Sequence, residues 1–311
     1  MSFFPEISGV HVRLVLTMIF WGGTFVAGRV LAEELHPLTA ASLRFILASA
    51  MLLTTLKIRY GTLPRLDKKQ WGAMTLLSLT GVFSYNIFFF TGLQTVEAGR
   101  ASMIIAVNPV ITAMLAMLFF GERAGFARII GMVVAVSGAL VVISRGRPAS
   151  LFQGGIGFGE ICIIGCVLSW SAYTLIGKRL LVNIQPLVAV AYSCTLGAVF
   201  LSIVALLGGH LSDVRHLTVQ GGLCLFYFAF FGTTLGFIWF YDGVKTLGAG
   251  RAAMYVNLVP VSGVSLGVLL LGERLGSSLI FGGILVFFGL YLINRRPSAA
   301  LTFSTSREKN I

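Results

Sequence analysis

Charge is what this sequence has least of. Only 11% of its 311 residues are Asp, Glu, Lys or Arg, against roughly 25% in a soluble domain. With 57% hydrophobic residues and a mean hydropathy of +0.92, a soluble fold would lack the polar surface to stay dissolved. Acids are the scarcer sign: eleven in all, each at an expected helix end or in a loop. No carboxylate pair is available inside an apolar run for acid–base catalysis or a proton relay. The four histidines, His11, His36, His210 and His216, lie outside those runs too. There is no HExxH and no cluster of metal ligands. The four cysteines, Cys162, Cys166, Cys194 and Cys224, all fall in apolar stretches. Cys162 and Cys166 share a helix face, but no third ligand is near, so they read as small packing residues. Neither a cofactor nor a metal is expected.

What is present is apolar length. Runs long enough to cross a bilayer recur throughout, predicting an all-α polytopic membrane protein. Ten helices are expected, near 12–31, 38–57, 71–92, 99–120, 126–144, 159–180, 187–207, 219–241, 250–271 and 277–294. The first run lacks a small-residue cleavage site and reads as a retained helix. Residues 295–311 form a polar tail. The net charge of +12 suits basic cytoplasmic loops rather than nucleic acid. With the N-terminus inside, the inner segments carry 16 Lys and Arg and the outer ones 6, which favours both termini in the cytoplasm.

The chain repeats itself. "TVEAGRASMIIAVNPV" (95–110) returns as "TLGAGRAAMYVNLVPV" (246–261), an offset of 151. Between 89–125 and 240–276, 16 of 37 positions are identical. Earlier the offset is 149: Trp21 meets Trp170, Gly28 meets Gly177 and Pro37 meets Pro186. Residues 12–144 and 159–294 are therefore two copies of a five-helix unit. An odd number of spans turns the second copy over, and inverted repeats of this kind characterise many secondary transporters, with the site at the midplane.

The duplicated AGRA opening, the mid-helix Pro109 and Pro260, and the duplicated GER at 121–123 and 272–274 resemble the drug/metabolite transporter superfamily. More narrowly they resemble its EamA-type ten-helix exporters, over roughly 12–294. The resemblance implies a bacterial inner-membrane exporter of amino acids, metabolites or toxic compounds, with helices 1–4 and 6–9 around a central cavity. The aromatic content is similar in general character to exporters of aromatic amino acids and paraquat.

Candidate site residues follow. A proline removes an N–H and displaces the carbonyl four residues back, here those of Ile105 and Val256. In hydrocarbon such groups need water, protein or ligand, so Pro109 and Pro260 mark either a wet cavity or simple packing kinks. Asn108 and Asn257 lie beside them and offer donor and acceptor groups, for a ligand or for a neighbouring helix. Ser84, Tyr85, Asn86 and Phe89 occupy the third helix, Trp170 and Tyr173 the sixth, Trp21 the first and Tyr255 the ninth. Aromatic walls with a few polar groups suit small-molecule pockets, and equally suit a core. Arg44 is drawn into a span; it can snorkel, pair with Glu33 or Glu34, or meet a substrate carboxylate. Arg100 and Arg251 read as boundary residues, and the GER glutamates as structural. Helices 5 and 10 are almost wholly apolar and belong at the periphery.

The expected function is a secondary transporter exporting amino acids or related metabolites by alternating access, not an enzyme. Its partners are a small amino acid-like or flat aromatic or cationic substrate and the lipid bilayer. A multidrug or toxic-cation exporter of the same fold is the alternative, and a lipid- or nucleotide-sugar-handling protein a remoter one. Without a buried carboxylate, transport is uncoupled, exchanging, or coupled through Glu160 or Asp242.

Overall fold

A computed structural model describes residues 3–122, 124–147, 149, 156–181 and 184–294, with side chains from residue 9 onward. Among the described residues all regular structure is helical. Arg123 and the expected tail at 295–311 lie outside them.

Ten helices are long and apolar enough to span a bilayer. The first, α1, is Phe3–Glu34. It is followed by α2 (Pro37–Tyr60), α3 (Lys68–Leu93), α4 (Ala98–Phe120), α5 (Phe126–Ile143), α6 (Phe158–Leu180), α7 (Pro186–Leu207), α8 (Val219–Leu247), α9 (Ala249–Leu271) and α10 (Ser277–Asn294). The protein is a polytopic all-helical membrane protein.

Local chemistry sets the boundaries. Pro37 and Pro186 begin α2 and α7, where the missing N–H costs nothing. Asp67 and Gln70 form a reciprocal cap on α3 at 2.8 and 2.9 Å. Thr218 caps α8 by accepting from Gly221 N at 3.1 Å. The sequence reading stops α8 at 241, six residues early. Asp242 and Lys245 suggest a boundary there, but the helix runs on until Gly248, whose φ of +87° suits only glycine comfortably.

α3 and α8 are not uniform. Ser78–Ser84 and Phe228–Leu235 are π-helical, at matching places in the two sequence repeats. α4 and α9 likewise break at Ala106–Val107 and Val256–Asn257. Each break lies two to four residues before its proline, where the lost N–H interrupts the ladder. α5 and α10 pair at the edge of the bundle, as their composition predicts. A Cβ on Gly131 would sit 2.7 Å from the Gly289 carbonyl, and one on Gly138 2.6 Å from that of Gly282. The two backbones therefore touch, as small residues allow between helices in lipid.

Candidate functional site

Eight helices converge on a central cavity of about 180 Å³. α5 and α10 contribute nothing to it. The lining is paired through the repeat. At offsets of 149 and 151, Trp21 matches Trp170, Thr24 matches Tyr173, Arg44 matches Ser193 and Phe45 matches Cys194. Gly81 matches Gly232, Val82 Thr233, Asn86 Phe237, Ile105 Val256, and Asn108 Val259. These nine pairs supply 18 of the 21 lining residues.

The π-helical segments shape the walls. Gly81 and Gly232 lie within them and face the cavity. A Cβ on Gly81 would run into the ring of Tyr173, and one on Gly232 would come 2.7 Å from Thr24 Cγ2. Glycine thus lets α6 and α1 approach, and π-helical turns recur at functional sites for such reasons. The carbonyl of Val82 accepts from Asn86 Nδ2 at 2.7 Å, and that of Gly232 from Trp21 Nε1 at 3.0 Å. Aromatic rings complete the wall: Trp170 lies 5.1 Å from Tyr173 and 5.5 Å from Tyr85 between centroids. Trp21 lies 5.6 Å from Phe237.

The pairing is geometric, and the chemistry is not symmetric. Arg44 occupies one half where Ser193 occupies the other. Arg44 lies within the bundle, half-buried with its Nε fully enclosed, and its Nη1 donates to Asn86 Oδ1 at 2.7 Å. Its guanidinium lies 4.2 Å from the Phe228 ring centroid and 4.7 Å from that of Phe45. The expectation that it pairs with Glu33 or Glu34 is overturned. Glu33 binds Arg29 at 3.1 Å, and Glu34 accepts from Thr218. None of the lining residues is acidic. Six buried side-chain polar atoms among the described residues have no hydrogen-bond partner. Three of them belong to the cavity: Arg44 Nε, Asn108 Oδ1 and Thr233 Oγ1. Groups like these are costly to bury without a partner, and here all three belong to residues that line one cavity.

Of the residues expected from sequence, Trp21, Tyr85, Asn86, Asn108, Trp170 and Tyr173 line the cavity. Four do not. Ser84 ends the π-helical segment of α3. Phe89 is packed among Phe25, Tyr85, Phe90 and Phe228. Tyr255 bonds through its hydroxyl to His11. Asn257 sits at the break in α9. Pro260 is buried and Pro109 exposed. The carbonyl of Val256 is not free, because Val259 N donates to it at 3.0 Å. Glu160 and Asp242 stand away from the cavity, beside Arg145 at 3.8 Å and Arg59 at 4.0 Å. Arg44, open from sequence to a substrate carboxylate, lines the cavity, and so do Ser193 and Thr233, which the sequence analysis does not single out. Only for Arg44 did the sequence hold a signal, a lone cation inside a span. A second hollow of about 330 Å³, between Tyr60, Arg65 and Gln185, has no comparable orphan atoms.

The sequence matches the EamA-like transporter family over residues 10–144 and again over 157–295. The chain belongs to that family. The two matched segments coincide with the two halves of the repeat, so the drug/metabolite transporter resemblance holds along the whole bundle. The protein is a transporter and not an enzyme. Among similar proteins is the uncharacterized transporter YyaM of Bacillus subtilis, 27% identical over 90% of this chain and 92% of that one. Another is a probable terminal-alkyne amino-acid exporter of Streptantibioticus cattleyicolor, 29% identical over 91% of this chain and 92% of that one. A crystal structure with a TM-score of 0.65 and 18% identity covers 92% of this chain and 97% of its own; it shares the fold.

Proposed function

We propose that this transporter exports small metabolites bearing a carboxylate, amino acids above all, by alternating access of an inverted five-helix repeat. The observation that carries this reading is Arg44. It is a cation within the bundle with no acidic partner among the lining residues, so a substrate carboxylate would supply the missing countercharge. An uncompensated buried charge is expensive, and Arg presents a fork matched to a carboxylate. Asn108 Oδ1 and Thr233 Oγ1 offer acceptors for an ammonium group. Trp21, Tyr85, Trp170, Tyr173 and Phe237 offer faces for an apolar or aromatic side chain.

The same arginine weighs against the toxic-cation alternative. A flat dication would enter a cavity holding one positive charge and no carboxylate. The similarity to a probable amino-acid exporter agrees with the carboxylate reading. The nine equivalent pairs around the cavity support the inverted arrangement, with units at 12–144 and 159–294. The 16-to-6 distribution of basic residues supports cytoplasmic termini in a bacterial inner membrane. Flux into proteoliposomes tests the proposal, using a panel of amino acids, phenylalaninamide and paraquat. Flux of amino acids without flux of the amide or the dication is expected. Transport of paraquat alone would overturn the reading.

A further inference from the structure

The two halves of the repeat are not in the same state at their GER turns. In both, a left-handed glycine ends the helix: Gly121 with φ +64° after α4, and Gly272 with φ +66° after α9. Each turn then presents a glutamate. Glu273 reaches the start of α4, where its carboxylate accepts from Ala98 N at 2.6 Å and Gly99 N at 2.8 Å. Both bonds are charge-assisted and lie at the positive end of the helix dipole. The equivalent Glu122 does not reach the start of α9. Its carboxylate accepts from Lys178 Nζ at 2.7 Å instead.

Packing follows the same division. Ala98, Gly99, Ala101, Ser102 and Met103 are all buried. Their counterparts Ala249, Gly250, Ala253 and Met254 are exposed, and only Ala252 is buried. A Cβ on Gly99 would meet Glu273 at 3.1 Å and Val264 at 3.3 Å, whereas Gly250 has nothing within 4 Å. Ser102 Oγ donates to the Gly99 carbonyl at 2.8 Å and lies 3.4 Å from the carbonyl of buried Pro260. Its counterpart Ala253 is exposed, as is Pro109. Where Glu273 is engaged, the residue aligned with Lys178 is bound elsewhere. That residue, Arg29, donates to the Leu93 carbonyl at 2.5 Å and pairs with Glu33.

From this broken symmetry we infer that the duplicated GER glutamates are alternating clamps of the transport cycle. Glu273 holds the first half of α4 shut in the state seen here. Glu122, now held by Lys178, takes the amide groups of Ala249 and Gly250 when the opposite seam closes. Both are positioning residues, since neither lines the cavity. Lys178 is the retainer that keeps Glu122 away from its clamp position.

Opposite effects of two substitutions test this without any substrate. Ala253→Cys reports whether the first half of α9 is unpacked. Its reaction with a bulky thiol reagent is read by peptide mass spectrometry on the purified full chain, so the native cysteines can stay. Glu122→Gln weakens the closed form of that seam and should raise the labelling rate. Lys178→Met frees Glu122 and should lower it. Each change is expected to be roughly two- to five-fold, the range of one partly exposed ionic contact. Glu273→Gln should in turn raise labelling of Ser102→Cys. A merely structural role predicts no change at 253, or shifts of one sign for both variants, and either result overturns the inference. If Glu122→Gln does not fold, the sign of Lys178→Met decides alone.

Discussion

Replacing Arg44 by Gln removes the charge while leaving a donor for Asn86 Oδ1. In the folded protein the guanidinium has Nη1 committed to Asn86 at 2.7 Å and Nε without a partner. A bound carboxylate would therefore gain at least one charge-assisted bond, worth about 1.5–3 kcal/mol. At 1.4 kcal/mol per decade, Arg44→Gln should weaken phenylalanine binding roughly 10- to 150-fold. Phenylalaninamide lacks the carboxylate, so it should bind the wild type about as weakly as phenylalanine binds the variant. The four affinities form a cycle, measured by calorimetry in detergent. In Arg44→Gln the acid and the amide should bind alike. Arg44→Lys should restore part of the preference for the acid, since it keeps the charge but not the planar fork. The reasoning fails if Arg44→Gln still prefers acid over amide by the wild-type factor. The carboxylate would then be read elsewhere, and the cation would serve the fold through Asn86 and the rings of Phe45 and Phe228.

Further outcomes follow from single contacts. Gly81→Ala should push the Tyr173 ring out of place, since its Cβ would clash with that ring; flux should fall while the yield of folded protein changes little. Just before α2, His36 stacks on His210 with centroids 3.5 Å apart. Its Nδ1 accepts from Leu38 N at 3.3 Å. Burial first, then the neighbouring His210, lowers the His36 pKa below 6.5, while Asp213 pulls the other way. A histidine lowered on folding gives stability that is present above its unfolded value and lost as pH falls through the folded one. The melting temperature should therefore drop as pH falls below 6.5. His36→Asn, which keeps a capping acceptor, should flatten that dependence; an unchanged pH profile would exclude His36 as the cause.

Much of the architecture was legible because a bilayer leaves the backbone few options. Ten apolar runs predict ten helices, since each must satisfy its own hydrogen bonds in hydrocarbon. Helix ends were less secure where charge misled. Asp242 suggests a stop for α8, but the left-handed Gly248 is what ends it. The site was half legible. Tyr85, Asn86, Trp170 and Tyr173 show as polar-aromatic clusters on helices 3 and 6. Phe89, Tyr255 and Asn257 have the same residue chemistry and lie outside the cavity, because composition does not say which face of a helix turns inward. Arg44 was visible as an oddity without a partner, and the partner, Asn86, is 42 residues away in sequence.

By itself, the sequence determines the span count, the duplication and the positions of the helix breaks. These are consequences of local hydropathy, of proline's missing N–H and of recurring residues along one chain. Tertiary structure alone decides three further things. It brings nine repeat-equivalent pairs around one cavity. It leaves Arg44 Nε, Asn108 Oδ1 and Thr233 Oγ1 without protein partners there. It also gives two identical GER motifs different partners, Ala98 and Gly99 for one and Lys178 for the other. The physical reason is that identical sequences encode the same local turn. Which amide or ammonium a glutamate reaches depends on how the two halves of the bundle are packed.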